Sequence, residues 1–213
     1  MLVQKFTLAF FTTLVVTFLV AGQANATPIV NTGTPVVTPD VDNWAFRDNQ
    51  YFGGRFAVGN DYIINSVEGY FSDGDALSGA VVVALHATGA FPGAVLFSAS
   101  LNIPGTLPLD WHGVSGLSWA VGPGTYWVSF RPDSSVHGSM PGTAPSPMEE
   151  YAQGGTPGWF GFAPDNRDFL GVGVRIQAEL SPAAVPEPTS MLLLGTGLAA
   201  VGVRRYRRRP VTT

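Results

Sequence analysis

The chain has 213 residues, 46% apolar, 12% aromatic and only 12% charged, with 26 Gly, 17 Pro and no Cys. That allows one ordinary domain plus processing segments, speaks against long helices, and excludes disulfides, Cys nucleophiles and thiolate metal sites. Residues 27–181 hold five Arg against ten Asp and four Glu, and five minus fourteen gives −9, a balance that argues against a nucleic acid partner.

In chain order, residues 1–26 read as a secretory signal peptide. Lys5 supplies the positive start, Phe6 to Val20 is an apolar run broken only by Thr, and Ala24-Asn25-Ala26 is a small-x-small cleavage site. Cleavage is expected after Ala26. Residues 27–43 hold three Pro and read as an extended leader.

Residues 44–181 then show a strand pattern. Arg55–Val58 and Ile63–Phe71 are candidates, and Ala80–Leu85 is apolar on both faces, as a central strand is. Ala94–Ile103 alternates, with Val95, Phe97, Ala99, Leu101 and Ile103 against Ser98, Ser100 and Asn102. Leu117–Val121 and Thr125–Phe130 flank Gly122-Pro123-Gly124, a hairpin signal. Pro132–Pro157 carries five Pro and four Gly and reads as a long loop with one helical turn at Glu149–Ala152. Trp159–Phe162 is a further short candidate. Phe169–Leu180 has the cleanest alternation, placing Leu170, Val172, Val174, Ile176, Ala178 and Leu180 on one dry face and Arg175 on the wet one. About eight short strands at this spacing predict an all-β body, an antiparallel sandwich or jelly roll.

The C-terminal end, 185–209, has three parts. Pro186-Glu187-Pro188 is a strip held extended by its prolines. Residues 189–203 form a fifteen-residue apolar stretch, expected as a single short transmembrane helix. Arg204, Arg205, Arg207, Arg208 and Arg209 form a cationic end that stays cytoplasmic, so the body faces outward.

This tripartite end resembles the PEP-CTERM sorting signal. The resemblance implies a tail that anchors the protein in the inner membrane until an exosortase recognises and removes it. It implies a Gram-negative bacterium that makes exopolysaccharide, and a final location at the cell surface or outside the cell. The body resembles the β-rich bodies found ahead of such tails through residues 55–58, 64–70 and 124–130. That likeness implies a sandwich and no assigned chemistry.

Candidate sites in the body are few. His86, His112 and His137 stand apart in sequence, without metal-pair spacing, and no Ser lies in a G-x-S-x-G turn. Asp40-Val41-Asp42-Asn43, Asp73-Gly74-Asp75 and Asp165-Asn166-Arg167-Asp168 offer hard oxygens. Ordinary turn chemistry is the first expectation for them and a structural Ca²⁺ on Asp73, Asp75, Asp165 and Asp168 the second. No other cofactor is implied. Trp127, on the face opposite Tyr126 and Val128, is the candidate for stacking on a sugar ring, against burial in a second core face. The expectation is a non-catalytic envelope or matrix protein associated with exopolysaccharide. The alternative is a carbohydrate-binding or carbohydrate-active sandwich, which as a hydrolase requires a facing carboxylate pair.

Overall fold

The computed structural model describes residues 26–35, 43–75, 77–142, 148–155, 158–161, 171–181 and 195–196. The signal sequence up to residue 25, the Pro-Glu-Pro strip, the Arg cluster, the 40–42 and 165–168 clusters, Phe162, Phe169 and Leu170 lie outside them.

The described body, within a unit that ends at Leu180, is all-β. Its strands are β1 Thr27–Asn31, β2 Asn43–Phe46, β3 Tyr51–Val58, β4 Tyr62–Asp73, β5 Gly79–Ala87 and β6 Val95–Ile103. They continue as β7 Leu107–Val121, β8 Gly124–Pro132, β9 Gly138–Pro141, β10 Glu150–Gly154, β11 Trp159–Gly161 and β12 Val174–Leu180. Two antiparallel six-stranded sheets result, as the sequence pattern predicts.

In the first sheet β4 is the spine. β7 pairs along one edge from Tyr62↔Val121 to Asp73↔Leu107. The other edge is shared end to end. β12 takes Tyr62 to Gly69 and β9 takes Ser72 and Asp73. β1 lies outside β12, and β2 outside β9. The second sheet runs β11-β10-β3-β8-β5-β6.

The sheets pack through one apolar core drawn from both. Phe71 of β4 meets Phe130 of β8 with ring centroids 6.4 Å apart, and Phe97 of β6 stacks on Trp119 of β7 at 5.7 Å and 12°. Gly69 makes room for this. A Cβ there would lie 3.0 Å from the Phe130 ring.

β12 is central, as its alternation predicts. Val172, Val174, Ile176 and Ala178 are fully buried, while Leu180, expected on the same face, is 60% exposed. The face runs out where the strand leaves the sheet. Arg175 is not free in solvent either. Its guanidinium lies 3.8 Å over the Trp111 ring.

Three other expectations are corrected. The leader is extended but is not outside the body: Thr27 pairs with Ala178 and Val30 with Ile176. Thr32 then clamps the start of β12, its hydroxyl accepting from the Val174 N–H at 2.8 Å. Next, β7 and β8 are not a hairpin. β8 already has β3 and β5 on its two edges, so β7 crosses to the other sheet and faces it through Trp119 and Val121. The Tyr126 hydroxyl holds the crossover by donating to the Gly122 carbonyl at 3.0 Å. Last, the stretch 132–157 contains β9 and β10. Glu150 to Gly154 pair with Arg55 to Tyr51, so a free sheet edge overrides the local helical preference.

Candidate functional site

Sheet alternation sends every second side chain of β3, β5 and β8 away from the core. On most sandwiches that outer face is wet. Here Trp127, Ser129, His86 and Ala152 are buried there. Trp159 of β11 lies across this face, its ring 4.9 Å from Tyr51 and 6.2 Å from His86, edge-on to both. Gly53 lies beneath it, where a Cβ would come to 3.4 Å from the Trp159 ring. Trp127 is only 1% exposed and donates its Nε1–H to the Gly89 carbonyl at 3.1 Å. It offers no free ring face, which corrects its candidacy as a sugar platform.

His86 and Ser129 sit on adjacent strands, one diagonal step apart. His86 Nδ1 lies 3.0 Å from the Gly93 carbonyl, and Nε2 2.8 Å from Ser129 Oγ. A carbonyl can only accept, so Nδ1 carries the proton and neutral Nε2 accepts from the Ser129 hydroxyl. Burial pushes the His86 pKa below its usual 6.5, against the bond to Gly93, which raises it. The pairing is that of a nucleophile and its base. But Ser129 is 3% exposed, so the pair acts as a closed polar clip between β5 and β8.

At one end of the same face Arg55 gathers two acids. Its Nη2 is 2.8 Å from Glu150 and its Nε 3.2 Å from Glu149. The Nε contact is a charge contact without hydrogen-bond alignment. Sequence reasoning missed this cluster because Arg55 and Glu149 are remote in the chain and meet only through the β3–β10 ladder.

Asp73 and Asp75 behave as turn residues. Asp73 is fully buried, and its Oδ1 accepts from the N–H groups of Asp75 and His137, both at 3.1 Å. Asp75 Oδ2 meets His137 Nδ1 at 2.6 Å. These bonds tie the end of β4 to the entry of β9. Asp73 Oδ2 is left without a partner. Among the described residues no group of three or more His, Cys, Asp or Glu is placed to hold a metal ion.

A groove of about 580 Å³ opens at the end of the body where β1 begins and β12 ends. Its walls include Ile29, Val58, Tyr62 and Leu180, and no acid or His. On the outer face of the first sheet Trp111 pairs with Tyr70, rings 5.3 Å apart, and Arg175 reaches across from β12 to cover Trp111. Both rings are half-buried, which makes them more accessible than Trp127.

Among the described residues the body presents no site whose chemistry names a function, and the decisive feature is the C-terminal end. Residues 184–209 match the PEP-CTERM protein-sorting motif. This chain carries a PEP-CTERM sorting signal. The match spans Pro186, Glu187, Pro188, the apolar stretch and the Arg cluster. A PEP-CTERM end marks an exported protein that an exosortase processes. No curated protein matches the chain. Of the PEP-CTERM end, Gly195 and Thr196 are described, and both are exposed. Among the described residues no helix is long and apolar enough to cross a membrane.

Proposed function

We propose that this is a non-catalytic envelope or matrix protein, delivered by its PEP-CTERM tail and associated, once released, with extracellular polysaccharide. The sorting motif at 184–209 is the observation that carries the reading. The tail is an address, and the body is the cargo. The signal sequence ending at Ala26 supports export. With no Cys, the exported body must rely on its packed core rather than on disulfides for stability.

The placement of the acids supports a non-catalytic body. Glu149 and Glu150 both serve Arg55, and Asp75 serves His137. Asp73 is spent on two backbone N–H groups. A glycosidase instead sets two carboxyl groups about 5–10 Å apart across an open groove. The Ca²⁺ reading keeps one supporting feature, the unpartnered Asp73 oxygen, and calorimetric titration of the chain with Ca²⁺ tests it.

A carbohydrate-binding body is the second reading, and Trp111 is the observation that favours it. Half-buried aromatic rings on a sheet face offer sugars an apolar platform; Tyr70 stands edge-on to this one, and a sugar would take the ring face opposite the one that Arg175 covers.

The test has two arms. Replacing Pro186, Glu187 and Pro188 with Ala should leave the melting temperature of the body unchanged, because the strip follows the last strand. The same change should leave the chain membrane-bound and uncut. Mass spectrometry of the exported form should find a start at Thr27 and a missing tail. Normal release of the Ala variant would refute the sorting reading. Co-sedimentation of the released form with the organism's own polysaccharide tests association, and an unchanged result with Trp111→Ala would refute the platform.

A further inference from the structure

Among the described residues β6 pairs with β5 alone, and its other edge is open. An open edge is a row of unpaired N–H and C=O groups, ready to accept another strand, and proteins usually blunt it. The other outer strands of this body are blunted. β1 has five residues, with Pro28 and a break in register. β2 has four residues and β11 three. β7 is long, but two breaks in register interrupt it, and it carries Pro108 and Asp110.

β6 has none of these guards along most of its length. It has nine residues without a charge or a proline. Its one irregularity falls at Val95–Leu96, where His86 pairs with Val95 and Leu85 with Phe97. Phe97–Ile103 is left regular. Exposed apolar side chains gather on the same hairpin. Of seven such large side chains among the described residues, five are Leu77, Val82, Phe91, Val95 and Leu96. They lie on β5, on β6 or immediately beside them.

We propose that β6 is the pairing surface for a second copy of this chain, joined antiparallel about a two-fold axis through Ser100. The sequence of the strand is what selects this occupant. With Ser100 facing its own copy, Phe97 lies opposite the second copy's Ile103 and Ala99 opposite its Leu101. Those four positions belong to the core side of the sheet. On the outer side Ser98 meets Asn102, and Ser100 meets Ser100. Every apolar residue finds an apolar one and every polar residue a polar one, with no like charges opposed. The same pairing carries the Phe91, Val95 and Leu96 end of each hairpin toward the Leu77 end of the other. Elsewhere the body's −9 balance keeps copies apart. The uncharged edge is where they can approach. Among the described residues each copy has one such edge, and pairing it closes the assembly at two.

This inference goes beyond the polysaccharide reading and does not rest on it. The chain has no Cys, so a single introduced Cys reports unambiguously. Ser100→Cys, in the full-length chain in its membranes, should give a disulfide-linked dimer on mild oxidation. Ser118→Cys, also exposed but on the guarded strand β7, should give far less. Equal yields, or none from Ser100→Cys, would overturn the proposal. The double variant Ser98→Lys/Ser100→Lys sets like charges face to face. It should convert a sedimenting dimer to monomer, with no change in the melting temperature of the dilute, monomeric chain. A native chain that sediments as a monomer at roughly 100 μM, well above the Kd of a weak specific pair, would also overturn it. So would a ladder of larger oligomers, which a closed pair forbids.

Discussion

Strands β12 and β6 show the same alternation in sequence and meet opposite fates in the fold. In β12 the apolar set is sealed, with Val174, Ile176 and Ala178 fully buried between β1 and β4. In β6 the corresponding set is only half-covered at Phe97, Ala99 and Leu101, and Val95 is 57% exposed. The pattern is equally clean in both. Alternation reports which face a side chain takes, because that depends on local backbone geometry. It is silent on whether a neighbouring strand will flank the segment, because that depends on how the whole sheet is ordered.

The largest effect should come from placing a charge on each strand. Val174→Asp puts a carboxylate among side chains with no partner for it, at a cost of about 3–5 kcal/mol. That is a large part of a domain's whole stability, about 5–15 kcal/mol. Ala99→Asp, on the core side of β6, can turn toward the open edge and should cost no more than about 1–2 kcal/mol. Thermal melts of the two variants decide it. Equal losses would show that β6 is as enclosed as β12, and the comparison would fall.

The wet side of β12 gives a smaller contrast. Period two alone makes Arg175 an indifferent surface residue. The fold instead lays its guanidinium 3.8 Å over Trp111. Arg175→Ala should therefore cost about 1–2 kcal/mol, through the lost cation–π contact and stem packing. Arg175→Gln on β12 should be nearly as costly, whereas Asn102→Ala on the outer side of β6 should be neutral in the same melts.

Acid should act on the buried outer face between β5 and β8. His86 has its pKa held below 6.5 in the folded chain, first by desolvation. The unfolded chain then binds a proton that the folded chain refuses. Stability from this group is complete above about pH 6.5 and falls as the pH drops from there toward the lower folded pKa. Melts between pH 7.5 and pH 5 should show a decline that His86→Gln flattens. An unchanged slope in that variant would show that the His86–Ser129 clip carries no linkage.

The smallest effect on stability belongs to the outer side of β6. Ser98→Lys should change stability by no more than about ±0.5 kcal/mol in thermal melts, since Ser98 is exposed on the outer side of an open edge strand. A marked loss in the dilute chain would mean that this edge is covered within a single copy.

Much of the molecule was legible in the sequence because its signals are local. The PEP-CTERM end is read from residue type and order, and it needs no fold to be recognised. The strands with clear alternation, β6, β8 and β12, follow from the two-residue period of an extended chain, and β5 from its continuous apolar run. Burial of one face in each follows from the apolar set it carries. What only the tertiary structure decided is everything that depends on who stands beside whom. β7 and β8 look like a hairpin around Gly122-Pro123-Gly124, yet they part because both edges of β8 are already taken. Glu150 to Gly154 become a strand because β3 has an edge to offer. Trp127 is hidden because Gly89, remote in sequence, accepts from its indole N–H and Arg55 of β3 lies over its ring. Arg55 meets Glu149 and Glu150, and His86 meets Ser129, across ladders that join distant segments. Local backbone preference acts over a few residues, whereas strand partners are chosen by the burial of the whole core, and no short stretch of sequence contains that information.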